Sequence, residues 1–224
     1  MTEQASKLMK EHYDFKDLVA LMELLRSEEG CPWDRAQTHE SIRKNLIEEC
    51  YEAIEGIDRK DDELLCEELG DILLQVVFHA QIAQDEGAFT MERVIDGICR
   101  KMVRRHPHIF SDENYSEELK AESYFRWEQI KQAEKDETNL ESSLDRVART
   151  LPSLMRSQKL IKKAVQAGRQ TSGERTDKEE LRKRYEALCL DAEASGVDLE
   201  ELGYRFNEDY IRSKATEGKK TDEN

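Results

Sequence analysis

Proline and glycine are scarce, 3 and 10 among 224 residues, too few turn-makers for a sandwich or barrel of many short strands. Cysteines number five, at 31, 50, 66, 99 and 189, and no two stand in a CxxC spacing. A zinc knuckle and a disulfide framework are therefore poor readings, and reduced thiols fit better. No apolar run approaches the roughly 20 residues of a membrane span. The N-terminal MTEQASKLMKEHYDF lacks the basic-then-apolar order of a secretion signal, so the expectation is a cytoplasmic protein with no membrane partner. Basic charge is outweighed as well. A net charge of −15 argues against nucleic acid as a partner and means that an anionic substrate would need local cations to offset the field.

What the chain has is charge, 38% Asp, Glu, Lys and Arg, laid on a helical apolar period almost throughout, with no convincing alternating strand. The expected fold class is all-α, an antiparallel helical bundle. A first helix is predicted over 15–26 and is ended by Gly30 and Pro32. A second covers 39–59 with Thr38 as N-cap, and Asp61 caps a third over 62–85. The run ILLQVVFHAQIA spans more than one face, which makes that helix central or places it in a subunit interface. Thr90 caps a fourth helix that Pro107 stops near 105, and Ser116 opens a fifth to 134. Residues 136–150 read as a polar linker. Beyond it come helices from 152, over 178–194, and from Asp198, whose spacing to Glu201 is that of a capping box. The tail 216–224 is expected to be disordered.

Two acidic runs, EECYE at 48–52 and EELGD at 67–71, carry the candidate chemistry. Glu49 and Glu52 are three apart and share a helix face, as do Glu68 and Asp71 on the next helix. Taken alone, each run reads as solvated helix surface. Consecutive helices with a short connection pack antiparallel, however, and both pairs lie among apolar neighbours. Four acids brought together without compensation would repel strongly, and a hard divalent cation resolves that. Oxygen-only ligands point to magnesium, with manganese as the other choice.

EExxE followed by ExxD, with GCPWDRAQTHES, NLIEECYEAIEGID, EELGDILLQVVFHAQIAQDEG, RRHPHIF and FRWEQIK around them, resembles the MazG family of nucleoside triphosphate pyrophosphohydrolases over about 15–134. The resemblance implies the all-α fold of that superfamily and a magnesium-dependent hydrolysis of a nucleoside triphosphate to monophosphate and pyrophosphate. Its metal ligands carry over as Glu49, Glu52, Glu68 and Asp71. Glu48 and Glu67 are then water- or substrate-orienting groups, with Glu48 the candidate base. Lys101 and Arg105, four apart with Arg104 beside them, match the family's nucleotide contacts, as does Trp127. Lys101 and Arg105 also fit a helix C-terminus complementing its dipole, and Trp127 fits a core anchor. A Trp stacked on a base would favour broad base tolerance. Other histidines get plainer readings: His39 as a cap or loop bond, His106 and His108 as part of a structural stop.

Longer members of the family carry two copies of the module, and the second half here resembles a worn second copy. LPSLMRSQKLIKKA matches the opening of that module, but no EExxE follows the loop at 167–177. The ExxD positions fall on Glu180 and Lys183, and the Lys101 position falls near Asp209. Residues 1–135 are thus expected to be the catalytic module, 136–150 a linker, 151–215 the degenerate module and 216–224 the tail. A homodimer or higher oligomer is expected, with the second and third helices pairing between chains. The competing functions are a narrower hydrolase on the same scaffold, acting on dUTP, dCTP or an alarmone, and a catalytically weak regulatory protein.

Overall fold

The computed structural model describes residues 3–110, 130 and 140–221. The chain is 75% helical, and the described residues hold no strand, so the expected all-α class is what forms. No helix is long and apolar enough to cross a membrane. The chain divides into two compact units, Met1–Tyr115 and Ser116–Asn224.

In the first unit α1 spans Glu3–Leu8, α2 Phe15–Arg26, α3 Pro32–Ala36, α4 Arg43–Arg59, α5 Asp62–Asp85, α6 Met91–Arg105 and α7 Pro107–Phe110. Caps set most boundaries. Asp14 and Asp17 close a reciprocal capping box at the start of α2, and the Asp61 carboxylate accepts from Leu64 N–H at the start of α5. The start of α4 differs from expectation. Thr38 does not cap it but closes a turn with Ser41, each side chain accepting from the other's backbone N–H. The helix begins four residues later than predicted because Ile42 is drawn into the core, where it is 2% exposed.

α5 is the central element, as its broad apolar face predicted. Val77, Phe78, Ala80, Ile82 and Ala83 are buried on it, and Met22 of α2, Ile42 and Met91 of α6 pack into the same cluster. α4 and α5 form a tight antiparallel hairpin. Lys60 adopts φ 56°, a left-handed C-cap whose N–H reaches the carbonyls of Gly56 and Ile57. A Cβ on Gly56 would stand 3.0–3.2 Å from the backbone N, Cα and Cβ of Leu65, so glycine is what lets the two helices approach.

In the second unit α8 spans Leu140–Asp145, α9 Ser153–Gln166, α10 Lys178–Ser195 and α11 Leu199–Thr221. Its core is Leu144, Val147, Leu160 and Ile211. Part of the expected linker is therefore structured: α8 lies within 136–150, and Leu144 is fully buried. The last helix also runs through most of the expected tail. α9 lacks a side-chain cap of its own, and Glu200 of α11 supplies one by accepting from the Ser153 N–H and hydroxyl. Asp198 accepts from Glu201 N–H, the forward half of a capping box. No helix is found over 170–177, within the loop expected at 167–177. The predicted fifth helix, apart from Ile130, falls outside the described residues.

Candidate metal centre

The α4–α5 hairpin brings the two acidic runs together. One carboxylate oxygen each from Glu49, Glu68 and Asp71 lies within 4.8 Å of the others. Glu68 is buried, 8% exposed, and its Oε2 has no hydrogen-bond partner. Among the described residues no ion pair reaches any of the three. A buried, unpartnered carboxylate oxygen beside two further acids is an unfavourable arrangement by itself.

The electrostatics follow from the geometry. Burial pushes the Glu49 carboxyl above the usual carboxylate range, and Asp71, Glu52 and Glu48 push it the same way. Glu68 is also raised, by burial first and then by Glu52, Asp71, Glu49 and Glu67. The acids expected to act together therefore feel one another. They are not equivalent: Glu52, predicted as a ligand, is exposed, and so are Glu48 and Glu67. Glu52 raises the Glu49 carboxyl by its charge but lies outside the triad that could grip one small ion. The donor set is all oxygen, as hard divalent cations require.

The predicted cations sit on α6, which packs on α5. Lys101 is half-buried and Arg104 exposed, while Arg105 is 9% exposed. Both arginines also make an interaction within the chain. Trp127 lies outside the described residues. In the second unit, Glu180, expected at an ExxD position with Lys183, bonds to Arg184 at 2.8 Å, and Asp209 is exposed beside Arg212.

One pair escaped the sequence reading. His39 and His79 meet edge to edge, with centroids 5.1 Å apart and planes 9° from parallel, their Nδ1 atoms 2.8 Å from each other. His39 is thus a tertiary contact and not a helix cap. The available signal was a lone histidine inside the otherwise apolar VVFHAQ run.

Comparison with known proteins agrees with this geometry. The model of the MazG nucleotide pyrophosphohydrolase domain matches residues 37–110, which contain both acidic runs. A nucleoside triphosphate pyrophosphohydrolase/pyrophosphatase MazG of Thermotoga maritima is 50% identical over 69% of this chain and 58% of its own length. A nucleoside triphosphate pyrophosphohydrolase of Escherichia coli K12 is 45% identical over 67% of this chain and 57% of its own. The chain therefore spans little more than half of either relative. An uncharacterized 26.1 kDa protein of Streptomyces cacaoi, from the blaB 3' region, is 37% identical over 82% of this chain and 74% of its own length.

Proposed function

Since this chain belongs to the MazG family, we propose that it hydrolyses nucleoside triphosphates to monophosphate and pyrophosphate, with the α4–α5 acids holding a divalent cation, magnesium or manganese. The observation that carries this reading is the Glu49–Glu68–Asp71 triad with the buried, unpartnered Glu68 oxygen. Glu49, Glu68 and Asp71 are the inner ligands, and Glu52 joins from the exposed side. A bound divalent cation would supply positive charge against the phosphate oxygens. The chain's own groups do the rest. Glu48, exposed beside Glu49, takes the proton of the attacking water, and Glu67 orients substrate or water from the neighbouring turn. Lys101, with Arg104 and Arg105 behind it, offsets the triphosphate. Trp127 stacks on the base, which suits a broad base range.

The same hairpin supports a homodimer or higher oligomer. Ile47, Tyr51 and Ile54 on α4 and Leu69 and Leu73 on α5 are all exposed, an apolar surface that a second copy of the hairpin would cover. A compact monomer in sedimentation at micromolar concentration would sink this part.

The activity is tested with a panel of ribo- and deoxynucleoside triphosphates plus magnesium, reading monophosphate and pyrophosphate. Asp71→Asn is expected to lower turnover by about 100-fold or more while the helical circular dichroism stays unchanged. Activity retained in that variant, or release of single phosphates by the parent chain, would overturn the reading.

A further inference from the structure

The α4–α5 pair is held at three levels. Nearest the turn, Gly56 sits on Leu65. The acids come next, Glu49 with Glu68 and Asp71. Farthest out, His39, on the turn that leads into α4, meets His79 of α5 through their Nδ1 atoms. The acids thus lie between a backbone contact and a histidine contact. We infer that His39 and His79 are positioning residues for the acidic centre, a hydrogen-bonded clamp that pins the start of α4 on α5 and so sets where Glu49 stands relative to Glu68 and Asp71. This rests on reading the acids as a metal centre.

Two Nδ1 atoms 2.8 Å apart require one ring to donate and the other to accept. One imidazole is therefore the Nδ1–H tautomer and its neighbour the Nε2–H tautomer. A first added proton leaves a charged donor facing a neutral acceptor, and the bond persists. A second sets two N–H groups face to face, and the bond is lost.

The surroundings bear on that second proton. Burial, and then the charge of His39, lower the proton affinity of His79. Glu40 and Arg43 lie on the same turn and at the start of α4, and the Glu40 carboxylate feels both His39 and Arg43. From α2, Arg26 reaches this loop, donating to the carbonyls of Asp34 and Gln37 and to Asp85 of α5. α6 adds the apolar Met91 and Val94 to the adjoining core. Folded His79 holds a proton less readily than it does in the unfolded chain. The stability it contributes is therefore full above about pH 6.5 and is lost as the pH falls below that value.

The test uses the full chain with isotope-labelled histidine. Without metal near neutral pH, nitrogen NMR is expected to show a through-bond coupling between two Nδ1 atoms that disappears in His39→Leu; absence of that coupling in the parent chain overturns the clamp. Manganese titration is expected to show affinity weakened by up to about tenfold in His39→Leu. His39→Asn, which keeps a non-titrating donor facing His79, is expected to hold near-parent affinity and to lose much of the weakening in acid. Equal affinity in the parent and His39→Leu overturns the positioning role. A parent chain that shows the coupling yet binds no manganese overturns the metal-centre reading instead, which keeps the two failures apart.

Discussion

The two units bury charge in opposite ways. The α4–α5 hairpin collects like charges, and a Glu68 oxygen inside it has no partner. The second unit buries Arg156, 1% exposed, and answers it with the opposite charge of Glu208 at 2.8 Å. Around that pair Ser157 donates to Asn207, which in turn donates to the Ser153 carbonyl, so a polar network joins α9 and α11. In the second unit a buried charge is met by one of opposite sign, even though Nε and Nη2 of Arg156 have no partner. A region that keeps buried acids together is carrying a cost for something else. The first unit sets like charges together, and the second sets a buried base against an acid.

Removing one partner in each region is the sharpest way to break this comparison. In the second unit, Glu208→Leu strands a guanidinium whose Nε and Nη2 already lack partners. The expected loss is about 3 kcal/mol or more, read as faster amide exchange across α9 and α11. The pH dependence gives the same result without mutation. The Arg156 guanidinium, bonded to Glu208, holds that carboxyl below the usual glutamate range, with the charges of Arg149 and Arg212 adding to it. The pair's contribution is full above about pH 4.3 and is lost as the pH falls through the lowered value. Unchanged α9 and α11 exchange in the variant would mean that Arg156 is not held by this pair.

A smaller effect tests whether the hairpin is held close in order to present its acids. Gly56→Ala sets a methyl group 3.0–3.2 Å from the N, Cα and Cβ of Leu65, a tight contact relieved by a few tenths of an ångström of movement between the helices. About 1–3 kcal/mol of destabilisation is expected, together with weaker manganese binding, although no acid has been touched. A variant that melts lower but binds the ion as before would separate hairpin packing from the centre.

Much of this architecture is legible without coordinates, and the misses have physical reasons. α2 and α5 begin where their Asp caps stand, because a cap satisfies local N–H groups and needs no knowledge of the fold. The start of α4 was misjudged because tertiary burial of Ile42 outweighed the cap chemistry offered by Thr38. α8 reads in sequence as linker because LESSLD has only two apolar residues, yet one of them, Leu144, joins the core. The acidic triad was visible because helical spacing and a short connection bring both runs to one place. Its inequality, with Glu68 buried and Glu52 exposed, was not, since burial depends on what α5 packs against. The His39–His79 contact joins residues 40 apart, and no local period encodes it. Arg156 reads in sequence as one more helix-surface base.

The smallest expected effect has the opposite sign and discriminates most finely between the two regions. Glu68→Gln keeps the shape of the side chain and removes one charge from a group of like charges. In the second unit, losing a carboxylate costs stability. Here, with metal chelated away, the same kind of change is expected to stabilise the chain slightly, read as a small rise in melting temperature. Neutralisation relieves both the burial of the charge and its repulsion by Glu52, Asp71 and Glu49. Adding manganese then reverses the ranking, because an ion that binds the folded chain raises parent stability by mass action, while the variant has lost a ligand oxygen and gains less. Thermal melts of both proteins with chelator and with manganese measure the crossing. If Glu68→Gln melts lower under both conditions, Glu68 is an ordinary structural acid and the contrast between the two units collapses. If the curves cross, the buried oxygen was placed for a cation.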